Sequence, residues 1–300
     1  GGRQAARSLH LIGMFIYLGF AIVHVGLVFI VHAPHNLTHI VFGYYDPSRV
    51  GQAYVTVIGT IIVVVALWIA MSYWTLTDTR RSQRILWDAT RGIRRLTVDR
   101  FSSQQAAKKP WTEKDISKFH WVNTRTPSRE ESPEYQELAA NDFADFRLEV
   151  GGMVSAPASF SLAELKAISS QSQITMHTCM QGWTGIAKWT GIRVRDLLAQ
   201  VGQIDPEAGW VMFESFGMAQ HMHDGRPVEP YYTCLPLDMA LEDDTILAWG
   251  RNDAPLSGMF GAPLRLRCET SHGYKMIKWV RSVTLIRHYS EVGDGMGGTR

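Results

Sequence analysis

Two long stretches without an Asp, Glu, Lys or Arg side chain constrain this chain more than any other feature. Residues 11–31 are apolar except for His24, and residues 53–74 carry no charge at all. Each is long enough to cross a bilayer as a helix, which takes about 20 residues. Neither reads as a signal peptide, because the first is too long, lacks a cleavage site and is followed by a second span. The chain opens with Gly-Gly and no methionine, so the expectation is a fragment preceded by further membrane helices. Three hundred residues leave room for about two domains, and a net charge of +2 argues against a nucleic-acid footprint.

The first span carries His10 and His24. Their spacing of fourteen residues, at about 100° each, puts them within about 40° of one helix face and about 21 Å apart along the axis. That separation suits two haems stacked across a membrane. The alternative is an interfacial His10 and a hydrogen-bonded interior His24. Beyond the span, Pro34 can start a short helix with His35 and His39 one turn apart, where histidines and tyrosines can lie in the membrane interface.

The chemistry concentrates in two later runs. Residues 174–198, ITMHTCMQGWTGIAKWTGIRVRDLL, place Cys179 in a turn punctuated by Gly182, Gly185 and Gly191. Trp183 and Trp189 can wall a pocket there, a strand-like run leads in, and an amphipathic helix is expected over 193–201. One thiol is too few for a zinc site, which needs three or four ligands, but suffices for a cofactor that brings its own donor atoms. Otherwise Cys179 is a small buried hydrophobe. In residues 261–280, GAPLRLRCETSHGYKMIKWV, the spacing of Arg265, Lys275 and Lys278 about a turn at Gly273 could direct charges and backbone N–H groups at one phosphate. A solvated charged face is the other reading.

Around these runs, Phe146, Leu148 and Val150 alternate as in a strand, and Ser161 with Glu164 forms a capping-box signature before a helix. Short strands are expected at 210–215, 245–249, 264–268 and 278–287, and their mixture with short helices indicates an α+β fold. Residues 99–142 read as a polar, proline-containing linker. His221 and His223 lack a third metal ligand at a convincing spacing, and a Cys234–Cys268 disulfide is compatible with the cysteine count.

Together the two motifs, in this order, resemble the molybdopterin-binding domain of the sulfite oxidase fold, nearest the branch that includes the periplasmic methionine sulfoxide reductase catalytic subunit. The resemblance covers roughly residues 143–290. It implies a molybdopterin oxidoreductase in which Cys179 ligates molybdenum. It also implies that Arg265, Lys275 and the run Met276, Ile277, Lys278 hold the pterin and its phosphate, with Asn123 touching the pterin from an upstream arm. Gln181, Trp183 and Lys188 would line the substrate pocket. Phe260 stands where relatives have an asparagine or histidine. Sulfite oxidases place an arginine just after the ligand cysteine, whereas Met180, Gln181 and Gly182 stand here, so the small-molecule substrate is not expected to be sulfite; a dehydrogenase feeding the quinone pool and a reductase of a sulfoxide-like substrate both stay open.

Residues 8–43 are similar to the last helix of the dihaem cytochrome b subunit of formate dehydrogenases and its cytochrome b561-like relatives. That resemblance implies His10 and His24 as axial ligands of b-type haem, partner ligands on upstream cytochrome b helices, and electron exchange with quinone, with His35 and His39 near the quinone end. The expected organisation is a membrane segment over 1–76 with helices at about 9–32 and 53–74, a basic juxtamembrane segment and linker over 77–142, and a molybdopterin domain over 143–300. Arg80, Arg81, Arg84, Arg91, Arg94 and Arg95 follow the second span and by the positive-inside rule leave the soluble part cytoplasmic. The cytochrome resemblance instead puts it on the outer side of a bacterial inner membrane. The exterior is adopted because upstream helices would set orientation first, and the arginines could then bind anionic membrane lipid. A monomeric catalytic domain is expected. A catalytically silent docking module attached to an electron-transfer cytochrome is the alternative from another class.

Overall fold

The structure, a computed structural model, describes residues 3–30, 32–98, 110–179, 181–219, 229–269, 271 and 273–298. Two compact units divide the chain at Leu76 and Thr77.

The first unit holds helices α1 (Arg3–Ile30), α2 (Ala33–Phe42) and most of α3 (Val50–Thr77). Ser8–Val28 and Pro47–Thr77 are apolar enough to cross a membrane. Pro34 sits in the first turn of α2, where a missing N–H costs nothing, and Gly43 ends the helix at φ +80. Ala33 and Leu37 pack on Ala53 of α3. His10 and His24 both lie on α1, whose large apolar side chains from Leu9 to Leu27 are exposed.

The second unit is built on two sheets of five strands. In the first, β2 (Ala158–Ser161), β1 (Arg147–Gly152), β10 (Val280–Ile286), β5 (Trp210–Met218) and β6 (Pro230–Pro236) lie in that order. All its pairs are antiparallel except β1 with β10. In the second, β3 (Gln171–Thr178), β4 (Thr184–Arg193), β7 (Ile246–Arg251) and β8 (Ala254–Pro255) follow one another, and β9 (Arg265–Arg267) also pairs with β7. Short helices fill the connections: α5 (Pro133–Ala140), α6 (Leu162–Ile168), α7 (Val194–Leu198) and α8 (Leu237–Ala240). The Ser161 hydroxyl accepts from Glu164 N–H and the Glu164 carboxylate from Ser161 N–H, closing the capping box.

The main core draws Phe146 from the residue before β1, Leu148 and Val150 from β1, Phe213 from β5, Val283 and Leu285 from β10, and Ile192, Leu247 and Leu266 from the second sheet. Its alternation in β1 is the one the sequence displays. Helix α4 (Thr79–Val98) belongs to this unit. Arg84 pairs with Glu291 at 2.8 Å, and the Trp87 ring meets Trp210 and Tyr289 at 4.8 and 6.0 Å.

Several sequence expectations need correction. The helix expected over 193–201 is present but shorter, as α7 (Val194–Leu198), and the turn expected before it is instead the ten-residue strand β4. Gly191 explains this: a Cβ there would collide with the Leu247 carbonyl oxygen, so the glycine permits close pairing of β4 with β7 at a bulge. Cys234 lies in strand β6, and Cys268 follows β9. Both are buried free thiols, so the disulfide is absent, and burial pushes each up to about 12. His221 and His223 lie outside the described residues, as do Met180 and 99–109 of the expected linker.

Gly191→Ala is expected to destabilise the second unit by about 1–3 kcal/mol through overpacking. A denaturation midpoint equal to that of the parent chain would show that the β4–β7 approach is not tight.

Candidate active site

The site begins at the hairpin joining β3 to β4. Thr178 pairs with Thr184, and the five-residue connection is closed by Cys179 N–H donating to the Trp183 carbonyl and Gly182 N–H to the Cys179 carbonyl, each at 3.0 Å. Gly182 takes φ +84, which glycine adopts at little cost. Cys179 is thereby held at the hairpin mouth, 7 % exposed. The Asn123 side-chain amide donates to its Sγ at 3.2 Å.

Asn123 arrives on an arm that crosses the second sheet. Ser117 N–H donates to the Ile186 carbonyl at 3.0 Å, and Ile186 N–H donates back to Ser117 Oγ at 2.9 Å. Lys278 secures the arm further on: its Nζ donates to the carbonyls of Asn123, Thr124 and Met259 at 2.6, 3.2 and 3.0 Å. Burial, then Arg265, draw the Lys278 ammonium down to about 7.

Between arm and sheet lies an aromatic layer. His120 packs against His177, Trp183, Trp189 and Phe260, with ring centroids 5.6, 5.7, 6.2 and 5.8 Å away. A Cβ on Gly185 would stand 2.8 Å from His120 Nδ1, so this glycine makes the seat for the imidazole. Period-two alternation puts Arg265 and Arg267 of β9 on one face of the strand. The guanidinium carbons of Arg265 and Arg267 lie 5.3 and 4.5 Å from the Trp189 ring centre, and that of Arg251 lies 4.0 Å from the Phe260 ring.

Arg267 is compensated, forming a buried two-bond pair with Glu269 at 2.8 and 2.9 Å and a 2.9 Å contact with His177 Nδ1. Arg265 and Arg251 have no ion-pair partner among the described residues. Arg265 NH1 donates to the Phe260 carbonyl at 3.2 Å, but the Nε atoms of both residues are buried without an acceptor, as are His120 Nδ1 and Trp189 Nε1. Burial, then Arg267, lower Arg265 to about 9. Burial, then Arg251, Arg265 and Arg267, lower His120 to about 3, and burial, then Arg267, Arg265 and His120, hold His177 well below the usual histidine range.

Buried cations without counter-charges are costly, so this arrangement is suited to an anionic ligand. A single buried thiol beside unsatisfied donors and two uncompensated guanidiniums fits a phosphorylated cofactor that completes its own metal coordination. Cys179, Asn123, Trp183 and Lys278 thus come together with four residues the sequence reading passed over: His120, His177, Arg251 and Arg267. Two of those had a signal, because His177 precedes Cys179 by two positions in a strand and Arg267 follows Arg265 likewise. His120 and Arg251 had no local one.

Other expected residues lie elsewhere. Lys275 Nζ donates to the carbonyls of Cys234 and Gly297, tying down the C-terminal tail. Met276 and Ile277 place their side chains in the main core. Lys188 pairs with Glu113 and Asp253 on the strand face opposite Ala187 and Trp189, so it does not line the pocket. Gln181 is exposed at the hairpin tip, its Oε1 accepting from Trp183 Nε1 at 3.3 Å. In the first unit, His24 stacks on Phe20 at 5.3 Å, and His35 and His39 lie 4.5 Å apart.

Comparison with known proteins gives a consistent picture. The oxidoreductase molybdopterin binding domain family matches residues 135–292. The chain is 33 % identical over 153 residues to a protein of Azospira oryzae provisionally named a protein-methionine-sulfoxide reductase subunit, covering 51 % of this chain and 53 % of that protein. It is 32 % identical over 148 residues to the protein-methionine-sulfoxide reductase catalytic subunit of Xanthomonas axonopodis pv. citri, covering 48 % and 46 %. The chain thus spans about half the length of these curated relatives. A crystal structure of the sulfane dehydrogenase of Paracoccus pantotrophus aligns over 48 % of this chain and 39 % of that one, at 23 % identity and a TM-score of 0.40.

Folded His120 titrates near 3 against 6.5 when unfolded, so the unfolded chain binds more protons between these values and stability falls as pH drops through that window. Going from pH 7 to pH 5 should cost the cofactor-free protein roughly 2 kcal/mol through this residue. Urea unfolding of the parent chain and His120→Gln at both pH values checks this; an unchanged acid sensitivity in the variant would refute it.

Proposed function

The chain belongs to the family of oxidoreductases with a molybdopterin-binding domain, and we propose that it is a membrane-anchored member whose Cys179 thiolate ligates the molybdenum. The carrying observation is the buried Cys179, with Asn123 on its sulfur, beside the uncompensated guanidiniums of Arg251 and Arg265. In this reading Arg265, Arg251 and His120 supply donors for the anionic part of the pterin. Lys278 fixes the arm that brings Asn123 to the site, and its charge adds to the field. When bound, the molybdenum cofactor supplies two-electron redox chemistry with oxygen-atom transfer.

The protein's own groups then bind and orient. The Asn123 amide satisfies one lone pair of the Cys179 sulfur and fixes its direction. Trp183, His120 and Trp189 exclude water from the thiol's surroundings, which strengthens every charge interaction there. Gln181, exposed at the hairpin tip, offers an amide toward an incoming substrate. The matched reductases favour a sulfoxide-bearing substrate, which on reduction takes two electrons and two protons and yields a sulfide and water. Histidines at this separation on the apolar helix α1 favour delivery of those electrons from quinone through b-type haem held jointly by His10, His24 and upstream cytochrome helices. The catalytic unit would then stand on the outer side of a bacterial inner membrane.

Elemental analysis of protein from a host that loads related enzymes should give near-stoichiometric molybdenum. Cys179→Ser should abolish turnover and remove the protein thiolate from the X-ray absorption spectrum. Arg265→Gln should weaken cofactor retention about ten- to hundredfold, the value of charge-assisted hydrogen bonds. Wild-type protein without molybdenum would instead favour a silent docking module.

A further inference from the structure

Helix α4 carries the arginines that the sequence suggested as ligands for lipid head groups, yet its docking gives two of them another task. Arg80 donates to the carbonyls of Glu291 and Gly293 at 3.4 and 3.1 Å, and Arg84 pairs with Glu291 at 2.8 Å. The Tyr289 hydroxyl donates to the Gln83 carbonyl at 3.3 Å, and Trp87 packs edge-on against Trp210 and Tyr289. The basic side of the helix therefore faces the oxidoreductase unit.

At about 100° per residue, Arg80, Gln83, Arg84 and Trp87 centre on one side of α4, while Ile85, Ala89 and Ile93 centre about 170° away. That opposite stripe is apolar and exposed, Ile85 by 45 % and Ile93 by 66 %. Exposed Arg81 and Asp88 line the flank between the two sides. The helix starts two residues after α3 ends at Thr77.

We propose that the Ile85–Ala89–Ile93 stripe lies in the boundary between head groups and acyl chains of a phospholipid bilayer, making α4 a strap with lipid on one side and the oxidoreductase unit on the other. The inference rests on α3 being a membrane span. A bilayer is the occupant favoured because the stripe begins eight positions beyond a span and is narrow, apolar and charge-flanked, as in interfacial helices. The stripe also explains why Trp87, an aromatic of the kind that often anchors in membrane interfaces, is here turned inward to hold the protein.

The test uses the full chain in nanodiscs of phosphatidylcholine and phosphatidylglycerol. Nitroxides are placed singly at Ile85→Cys, Ala89→Cys, Asp88→Cys and, in mid-α3, Val65→Cys, against the background of the three buried native cysteines. Power-saturation EPR should find oxygen more accessible than a water-soluble nickel chelate at 85 and 89, with the reverse at 88. Water-like values at 85 and 89 with a lipid-like value at 65 would overturn the proposal while leaving the span intact. Shielding of 85 and 89 from both reagents would overturn it in favour of a protein partner. A water-like value at 65 would remove the span and the proposal together.

Discussion

Two guanidiniums, Arg265 buried and Arg251 half-buried, each with a buried Nε and with no carboxylate partner among the described residues, govern the second unit. Removing a charge from water is tolerated when a counter-charge or a ligand compensates it. Arg267 has its counter-charge in Glu269, whereas Arg251 and Arg265 have aromatic faces and one carbonyl. The surrounding architecture holds them in place. Strand β9 sets Arg265 beside Arg267, β7 brings Arg251, and Trp189 of β4 lies under the group. His120 closes the group as a neutral ring, because burial and the charges of Arg251, Arg265 and Arg267 oppose its protonation.

The reactive thiol depends on the same construction. Cys179 stands where the β3–β4 hairpin turns, and the arm bearing Asn123 reaches it only because Lys278, from the far end of the chain, gathers three carbonyls of the arm and the Met259 loop. Glycine assists at two points with different demands. Gly185 leaves space for a ring, and Gly191 lets two backbones approach. Neither requirement is local, so neither could be read from neighbouring residues.

That contrast explains how much of the molecule was legible in its sequence. The Ser161–Glu164 capping box and the Phe146–Leu148–Val150 alternation are local signals that act within one element, and both appear as read. Cys179 stood out because it is a lone thiol among glycines and tryptophans, and Arg265 because its spacing from Lys275 and Lys278 about Gly273 suggests an anion site. Strand β4 reads as a turn in the sequence because its glycines serve pairing with β7, a contact 57 positions away in the register of Gly191 with Ala248. Lys275 looked like an anion ligand by charge and spacing, but its direction depends on the C-terminal tail that only the fold brings near. His120 carried no pattern of its own, since its environment comes from residues spread over Gly185 to Phe260.

The one parallel pairing in the first sheet has a consequence for the order of events during synthesis. Strand β1 pairs with β10, the last strand among the described residues, which also pairs with β5. Until β10 emerges, the β2–β1 and β5–β6 pairs share no edge, and Lys278, just before β10, cannot clamp the arm. Parallel, long-range pairings of this kind form late. The oxidoreductase unit is therefore a structure whose first strand waits for β10, so the pocket around Cys179 takes its final shape only after β10 has joined the sheet.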